Sequence, residues 1–236
     1  MSFDKFNLPR YLGTLPLFSD MREDELKRLA EGCSLVRLER AKPVFRMGEP
    51  CEEFYVVVLG QVKLFVISPT GVEKVIELCG PGRSFAEAVM FLDAPYIVSS
   101  QTLSDTLLLR IDKTAVLREI QNDWRFSMRM MAGLSRRLHG LIKDVEAYSL
   151  HSGVQRVIGY LLSDLIGDNE SESEIAPKSV TVSLPVSKAS IASRLSLTPE
   201  YFSRVLHELE SAGLISVDKR DIHIADTEKL ANYQPR

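Results

Sequence analysis

Near the C-terminus, residues 187–209 spell two helices joined by a tight turn. Ser187 can cap the first helix, and Ile191 and Leu195, four apart, give it one apolar face. Thr198 is a good N-cap for the second. Pro199 follows at the position where a missing amide hydrogen costs nothing. Phe202, Val205, Leu206 and Leu209 supply the buried stripe of that helix, and Gly213 reads as its stop. Two short apolar runs, 214–217 and 222–225, then flank Asp218-Lys219-Arg220-Asp221, which predicts a small hairpin, or wing.

Glu200, Ser203 and Arg204 share one face near the start of the second helix. Arginine can donate two bonds to guanine O6 and N7. A carboxylate can accept from cytosine N4 or adenine N6, and a small hydroxyl can touch a base or a thymine methyl. These three are the candidate base contacts. Ser187, Lys188, Thr198, Lys219 and Arg220 are the candidate phosphate contacts, helped by helix N-terminal amides. The plainer alternative is a winged-helix scaffold with a salt-bridged surface. Net charge does not decide between them: residues 151–236 hold nine Lys and Arg against twelve Asp and Glu. Binding to DNA is therefore expected to be modest and salt-sensitive.

The whole segment resembles the winged helix-turn-helix of Crp/Fnr transcription regulators. Glu-x-x-Ser-Arg at Glu200, Ser203 and Arg204 is similar to the recognition signature of the Fnr branch. That resemblance implies half-sites of the TTGAT type on double-stranded DNA, and RNA polymerase as a partner.

With 236 residues the chain has room for two domains and a substantial core. No signal sequence opens it, and no apolar run reaches membrane-spanning length, so no membrane partner is expected. Cys33, Cys51 and Cys79 are sparse and odd in number, which fits a reducing cytoplasm and not a disulfide framework. No metal-ligand cluster, phosphate-cradling loop or nucleophile–base pair is evident, so an enzyme is not expected.

Residues 9–38 read as short helices. From about Leu35 to Ile111 short apolar runs alternate with turns containing Gly48, Gly60, Gly71 and Gly82, which suggests an antiparallel sandwich or roll. This glycine pattern resembles the cyclic-nucleotide-binding β-roll of the same family. The expected class is α+β. A β-roll effector domain covers 1–121, a dimerisation helix and hinge 122–151, and a winged helix-turn-helix 152–236.

From about Asn122 the period becomes helical. Met131, Leu134, Leu138, Leu141, Val145 and Tyr148 are spaced 3, 4, 3, 4, 3, an a/d seam that predicts a two-stranded coiled coil and a homodimer. The alternative is a helix packed on its own domain. A parallel dimer would set two reading helices about one DNA turn apart, ~34 Å. Ser152 can cap a new helix near Val154, and the acidic run 168–178 reads as a mobile loop.

In cAMP-binding members of the family a Gly-Glu pair opens the phosphate cassette and an Arg-Ser pair closes it. Here Glu87 is present, but the glycine is Ala86 and the Arg-Ser pair falls near Ile97-Val98. Residues 84–109 contain no Lys or Arg, so a buried phosphate would lack a cation and cAMP is disfavoured. The stretch Phe85 to Tyr96 is similar to the Dnr subgroup, regulators thought to sense nitric oxide through haem. Phe85, Ala86, Glu87, Val89, Met90 and Phe91 are the candidate effector pocket, for haem or another apolar small molecule, with a plain β-roll core as the alternative. Haem needs an axial ligand. His139 on the long helix is the first candidate, and Cys79 and Met90 are weaker ones, so the metal ligand stays open. The cysteines lack the N-terminal cluster of iron–sulfur Fnr proteins, so no such cluster is expected.

Overall fold

A computed structural model describes residues 7–15, 17–18, 20–163 and 179–234; the acidic run 168–178 lies outside them. The chain divides into two compact units, residues 1–141 and 142–236. The division falls inside the long helix rather than ahead of it.

The first unit opens with helices α1 (Leu8–Leu12) and α2 (Glu23–Ala30). The strands β1 (Cys33–Leu38), β2 (Pro43–Phe45), β3 (Glu53–Leu59), β4 (Val62–Ile67), β5 (Glu73–Cys79) and β6 (Ser84–Phe85) follow. A one-turn helix α3 (Glu87–Met90) leads to β7 (Ser99–Thr102) and β8 (Thr106–Asp112). Two antiparallel four-stranded sheets result, ordered β1-β8-β3-β6 and β2-β7-β4-β5. Phe54, Val57, Leu108 and Ile111 of the first sheet share one core with Phe45, Val62 and Leu64 of the second. Gly48, Gly60, Gly71 and Gly82 all take positive φ at the turns between strands, as their spacing predicts.

Residues 33–38 depart from the helical expectation. They form β1, paired residue for residue with β8 from Cys33↔Ile111 to Leu38↔Thr106, so the ladder overrides local pattern. β7, Ser-Ser-Gln-Thr, is too polar to read as a strand, yet it buries Ser100 and Thr102. Thr102 earns its place by hydrogen bonds: its Oγ1 donates to Glu39 O at 2.7 Å and accepts from Lys42 N at 2.9 Å.

Helix α4 (Lys113–Asn122) stops at extended Asp123, and α5 (Trp124–Leu150) begins there. Phe126 and Met130 bury one face of α5 in the core of the first unit. Two buried carboxylates bind the helices together. Glu25 accepts from Arg22 N and pairs with Arg129 of α5, while Glu119 of α4 pairs with Arg28 of α2 at 2.9 Å. Removing Arg28 would take the arginine from the buried Glu119 carboxylate, whereas Glu25 without Arg129 would keep Arg22 at 3.7 Å.

In the second unit α6 (Gly153–Ser163) is followed by β9 (Val180–Ser183), α7 (Lys188–Arg194) and α8 (Pro199–Ser211). Strands β10 (Ile215–Asp218) and β11 (Asp221–Ile224) and helix α9 (Thr227–Ala231) complete it. The predicted wing is present, and β9 adds a third strand in the order β10-β11-β9. No helix among the described residues is long and apolar enough to cross a membrane.

Candidate nucleic-acid interface and effector region

The two-helix element is built by its caps. Ser187 Oγ accepts from Ser190 N at 3.2 Å, and Thr198 Oγ1 accepts from Tyr201 N at 3.2 Å, each satisfying an end amide. The turn between the helices closes with Leu197 N donating to Ala192 O at 2.9 Å, and Arg156 of α6 braces it by donating to Leu195 O at 2.6 Å. Helix α8 ends at Gly213, φ 71°, where Gly213 N reaches Glu210 O and Leu214 N reaches Leu209 O. That pair of bonds satisfies the last carbonyls and needs a left-handed residue.

Phe202, Val205, Leu206 and Leu209 of α8 are buried, and Glu200, Ser203 and Arg204 are all exposed. The fold therefore brings the three candidate base contacts onto one free face. Around them, Ser187 and Thr198 stand exposed at helix starts and Lys188 is half-buried. Lys219 and Arg220 form the two-residue wing turn, with Lys219 at φ 54°. Tyr201 was not legible as a functional residue, since an aromatic at that spacing reads equally as core. Its half-buried ring carries the Arg204 guanidinium 4.7 Å from the centroid.

The candidate seam is exposed at four of its five described side chains. Met131, Leu138, Leu141 and Val145 are 51%, 59%, 45% and 63% exposed, and Leu134 is half-buried. The Tyr148 side chain lies outside what is described. An apolar row this open on one chain is a surface that water disfavours.

In the roll, Phe85, Glu87, Val89 and Met90 are buried, and Ala86 and Phe91 are half-buried. Phe45 stacks on Tyr96 at 3.8 Å and lies 6.0 Å from Phe85, which stacks on Tyr55 at 5.4 Å. Burial pushes the Tyr55 and Tyr96 phenols up, so both stay protonated. Ala86 caps α3 at φ 72°, a left-handed conformation suited to glycine. His139 is exposed on α5 and takes no part in this buried cluster, whereas Cys79 and Met90 lie within it. Two cavities of about 240 and 300 Å³ open on this unit. The first lies beside Cys51 and Lys113 and the second beside Phe45 and Phe65, and neither is lined by Phe85, Val89 or Met90. The cations that follow the cassette are engaged: Arg110 pairs with Glu53 at 3.4 Å and Lys113 with Asp93.

The cyclic nucleotide-binding domain family matches residues 35–123, and the Crp-like helix-turn-helix domain family matches residues 155–233. The crystal structure of DNR from Pseudomonas aeruginosa is 34% identical, with a TM-score of 0.54, covering 99% of this chain and 100% of that one. The chain belongs to the Crp/Fnr family.

FixK2 from Bradyrhizobium japonicum shares the Crp/Fnr fold at 19% identity and a TM-score of 0.73, over 86% of this chain and 98% of that one. The CRP-like cAMP-activated global transcriptional regulator of Mycobacterium tuberculosis is 23% identical over 217 residues, 91% of this chain and 94% of the relative. As a Crp/Fnr protein this chain is a DNA-binding transcription regulator. Its roll and winged helix are the two family parts, and α5 runs between them in sequence.

Proposed function

We propose that this regulator acts as a homodimer on inverted TTGAT-like half-sites and that a small effector at the β-roll sets its activity. The observation that carries the proposal is the exposed face of α8 that holds Glu200, Ser203 and Arg204 over a fully buried stripe. Arg204 donates to the guanine of the half-site, Glu200 accepts from the opposite strand, and Ser203 contacts a neighbouring base. Ser187, Lys188, Thr198, Lys219 and Arg220 hold phosphates and fix the register. The seam of exposed Met131, Leu138, Leu141 and Val145 with half-buried Leu134 pairs with a second copy, which sets the spacing of the two helices. RNA polymerase is the partner at the promoter. Selection of binding sites from random duplexes tests this: inverted TTGAT-like repeats should be enriched, and enrichment of single or unrelated sites would contradict it.

For the effector, the absence of any Lys or Arg from 84 to 109 argues against cAMP, and the resemblance of Phe85 to Tyr96 to the Dnr subgroup supports an apolar ligand such as haem, with nitric oxide as the signal. Phe85, Val89 and Met90 match haem in polarity, but they are packed in the core and line neither cavity, so binding there requires α3 to part from the roll. Met90 or Cys79 from within the roll, or His139 from α5, would hold the iron. When bound, haem supplies that iron as a binding position for nitric oxide. An effector shifts DNA affinity only by preferring one arrangement of the regulator over another. The second reading, a cyclic-nucleotide effector, is favoured by one observation, the retained and buried Glu87. Calorimetry with cAMP and a haem titration separate them. No cAMP heat and a Soret band that changes in Met90→Ala or His139→Ala support the first; micromolar cAMP binding supports the second.

A further inference from the structure

Helix α6 begins on a capping box: Gln155 N donates to Ser152 Oγ at 3.3 Å, and Ser152 N donates to Gln155 Oε1 at 2.9 Å. The first residue inside that box is Gly153, three positions beyond the last residue of α5. A Cβ on Gly153 would stand 2.5 Å from Tyr201 Cε1 and 3.0 Å from both Cζ and Oη. The Tyr201 ring therefore lies directly on the backbone where α6 starts, and glycine is what makes room for it. The same ring carries Arg204, whose Cζ is 4.7 Å from its centroid, within the range of a cation–π contact. Tyr201 itself is held from below, because its amide donates to the capping Thr198. Two elements thus meet on the ring, the start of α6 and the guanidinium proposed to read guanine, while the N-cap of α8 fixes the backbone that carries it.

We infer that Tyr201 is a positioning residue for Arg204: wedged against Gly153, it holds the guanidinium over its face and so sets the base specificity of α8. This rests on Arg204 as the base-reading residue. A long, exposed arginine samples many rotamers, and a bidentate contact to guanine needs one of them. Stacking on a fixed aromatic face restricts that choice before DNA arrives, which favours discrimination between bases more than attraction to phosphate. The ring does not itself need to touch DNA. The start of α6 enters because anything that moves Gly153 moves the ring, and with it the arginine.

The test uses the full-length protein and two duplexes, one with inverted TTGAT half-sites and one with the half-site guanine replaced by adenine. The readout is the ratio of the two affinities, with affinity for unrelated DNA and the melting temperature measured alongside. Tyr201→Phe keeps the aromatic face and should keep the ratio. Tyr201→Leu should reduce it about fivefold, with affinity for unrelated DNA unchanged. Gly153→Ala, which pushes the ring off its seat, should reduce the ratio in the same direction. Arg204→Ala is the reference and should abolish the preference for guanine. If Arg204→Ala abolishes the preference while Tyr201→Leu and Gly153→Ala both retain it, Tyr201 positions nothing and the inference fails alone. If Arg204→Ala leaves the preference intact, the base-reading assignment fails and the inference falls with it. Equal loss on every duplex in Tyr201→Leu, together with a lowered melting point and no recovery in Tyr201→Phe, would mark a purely structural role and overturn the inference.

Discussion

Helices α8 and α3, the proposed DNA-reading and effector-sensing elements, are built in opposite ways. Helix α8 runs 13 residues, Pro199–Ser211, between a hydroxyl cap at Thr198 and a left-handed glycine at Gly213, and it buries four apolar side chains while Glu200, Ser203 and Arg204 stay exposed. Helix α3 runs four residues, starts at Ala86 with no side-chain cap, and buries Glu87, Val89 and Met90. Local chemistry specifies the first. The second exists only because the roll around it holds it there, since a single turn of helix is unstable alone. The DNA-reading element can therefore be recognised and tested residue by residue, whereas the sensing element depends on contacts from distant strands.

The largest effect expected lies between these two regions. Leu138→Lys places a charge in the exposed apolar row of α5 and should give monomers by sedimentation velocity. Loss of the second half-site contact should weaken operator binding by about 10²-fold or more. A dimer that survives would mean the row covers something other than a second copy, and the two regions would then have to be compared on one chain.

Next comes the cap of α8. Gly213 has open space around it, so Gly213→Ala introduces only a backbone penalty at φ 71°. Urea unfolding of the variant should show a loss of about 1 kcal/mol. Ala86 in the sensing region should respond with the opposite sign. It already bears a side chain at φ 72°, and Ala86→Gly should stabilise the protein by about 0.5–1 kcal/mol. A destabilising Ala86→Gly would show that the alanine methyl contributes packing that outweighs its backbone strain.

This contrast is also why the sequence could be read in one half more fully than in the other. Thr198, Pro199, the stripe of Phe202 to Leu209 and Gly213 are all local signals, and each sits where its chemistry placed it. The wing turn at Lys219-Arg220 was equally local. In the roll, the turn glycines and the apolar strands were legible, but β1, β6, β7 and α4 were not. β7 hides its strand character in serine, glutamine and threonine, and only Thr102's hydrogen bonds to the loop before β2 make burial tolerable. The seam on α5 is visible as a heptad, and the change of period near Asn122 falls within two residues of the break at Asp123, whereas helix α4 before that break carries no such signal. Tyr201 escaped because its role comes from Gly153, 48 positions earlier in the chain.

The smallest effect expected concerns Cys33 in the sensing unit. Burial, and secondarily the Asp112 carboxylate, push its thiol up to about 12. Native protein at pH 8 should therefore react slowly with a thiol reagent at this position. A raised thiol pKa favours the folded state fully below the unfolded value near 9.0, and that contribution is lost as pH rises toward about 12. The melting temperature should fall more between pH 8 and 10.5 in the native protein than in Cys33→Ala. An equal fall would show that the thiol is as free to ionise in the fold as outside it.

On the proposed function, Arg204 on α8 reads one base pair rather than the backbone. A double-mutant cycle tests it most directly, with native and Arg204→Ala proteins against operators carrying the half-site guanine or an adenine in its place. The native protein should lose about 1–3 kcal/mol per substituted half-site, and Arg204→Ala should bind both operators alike. Equal losses from Arg204→Ala on both operators, with the native preference for guanine carried over unchanged, would place Arg204 on phosphate and contradict the account.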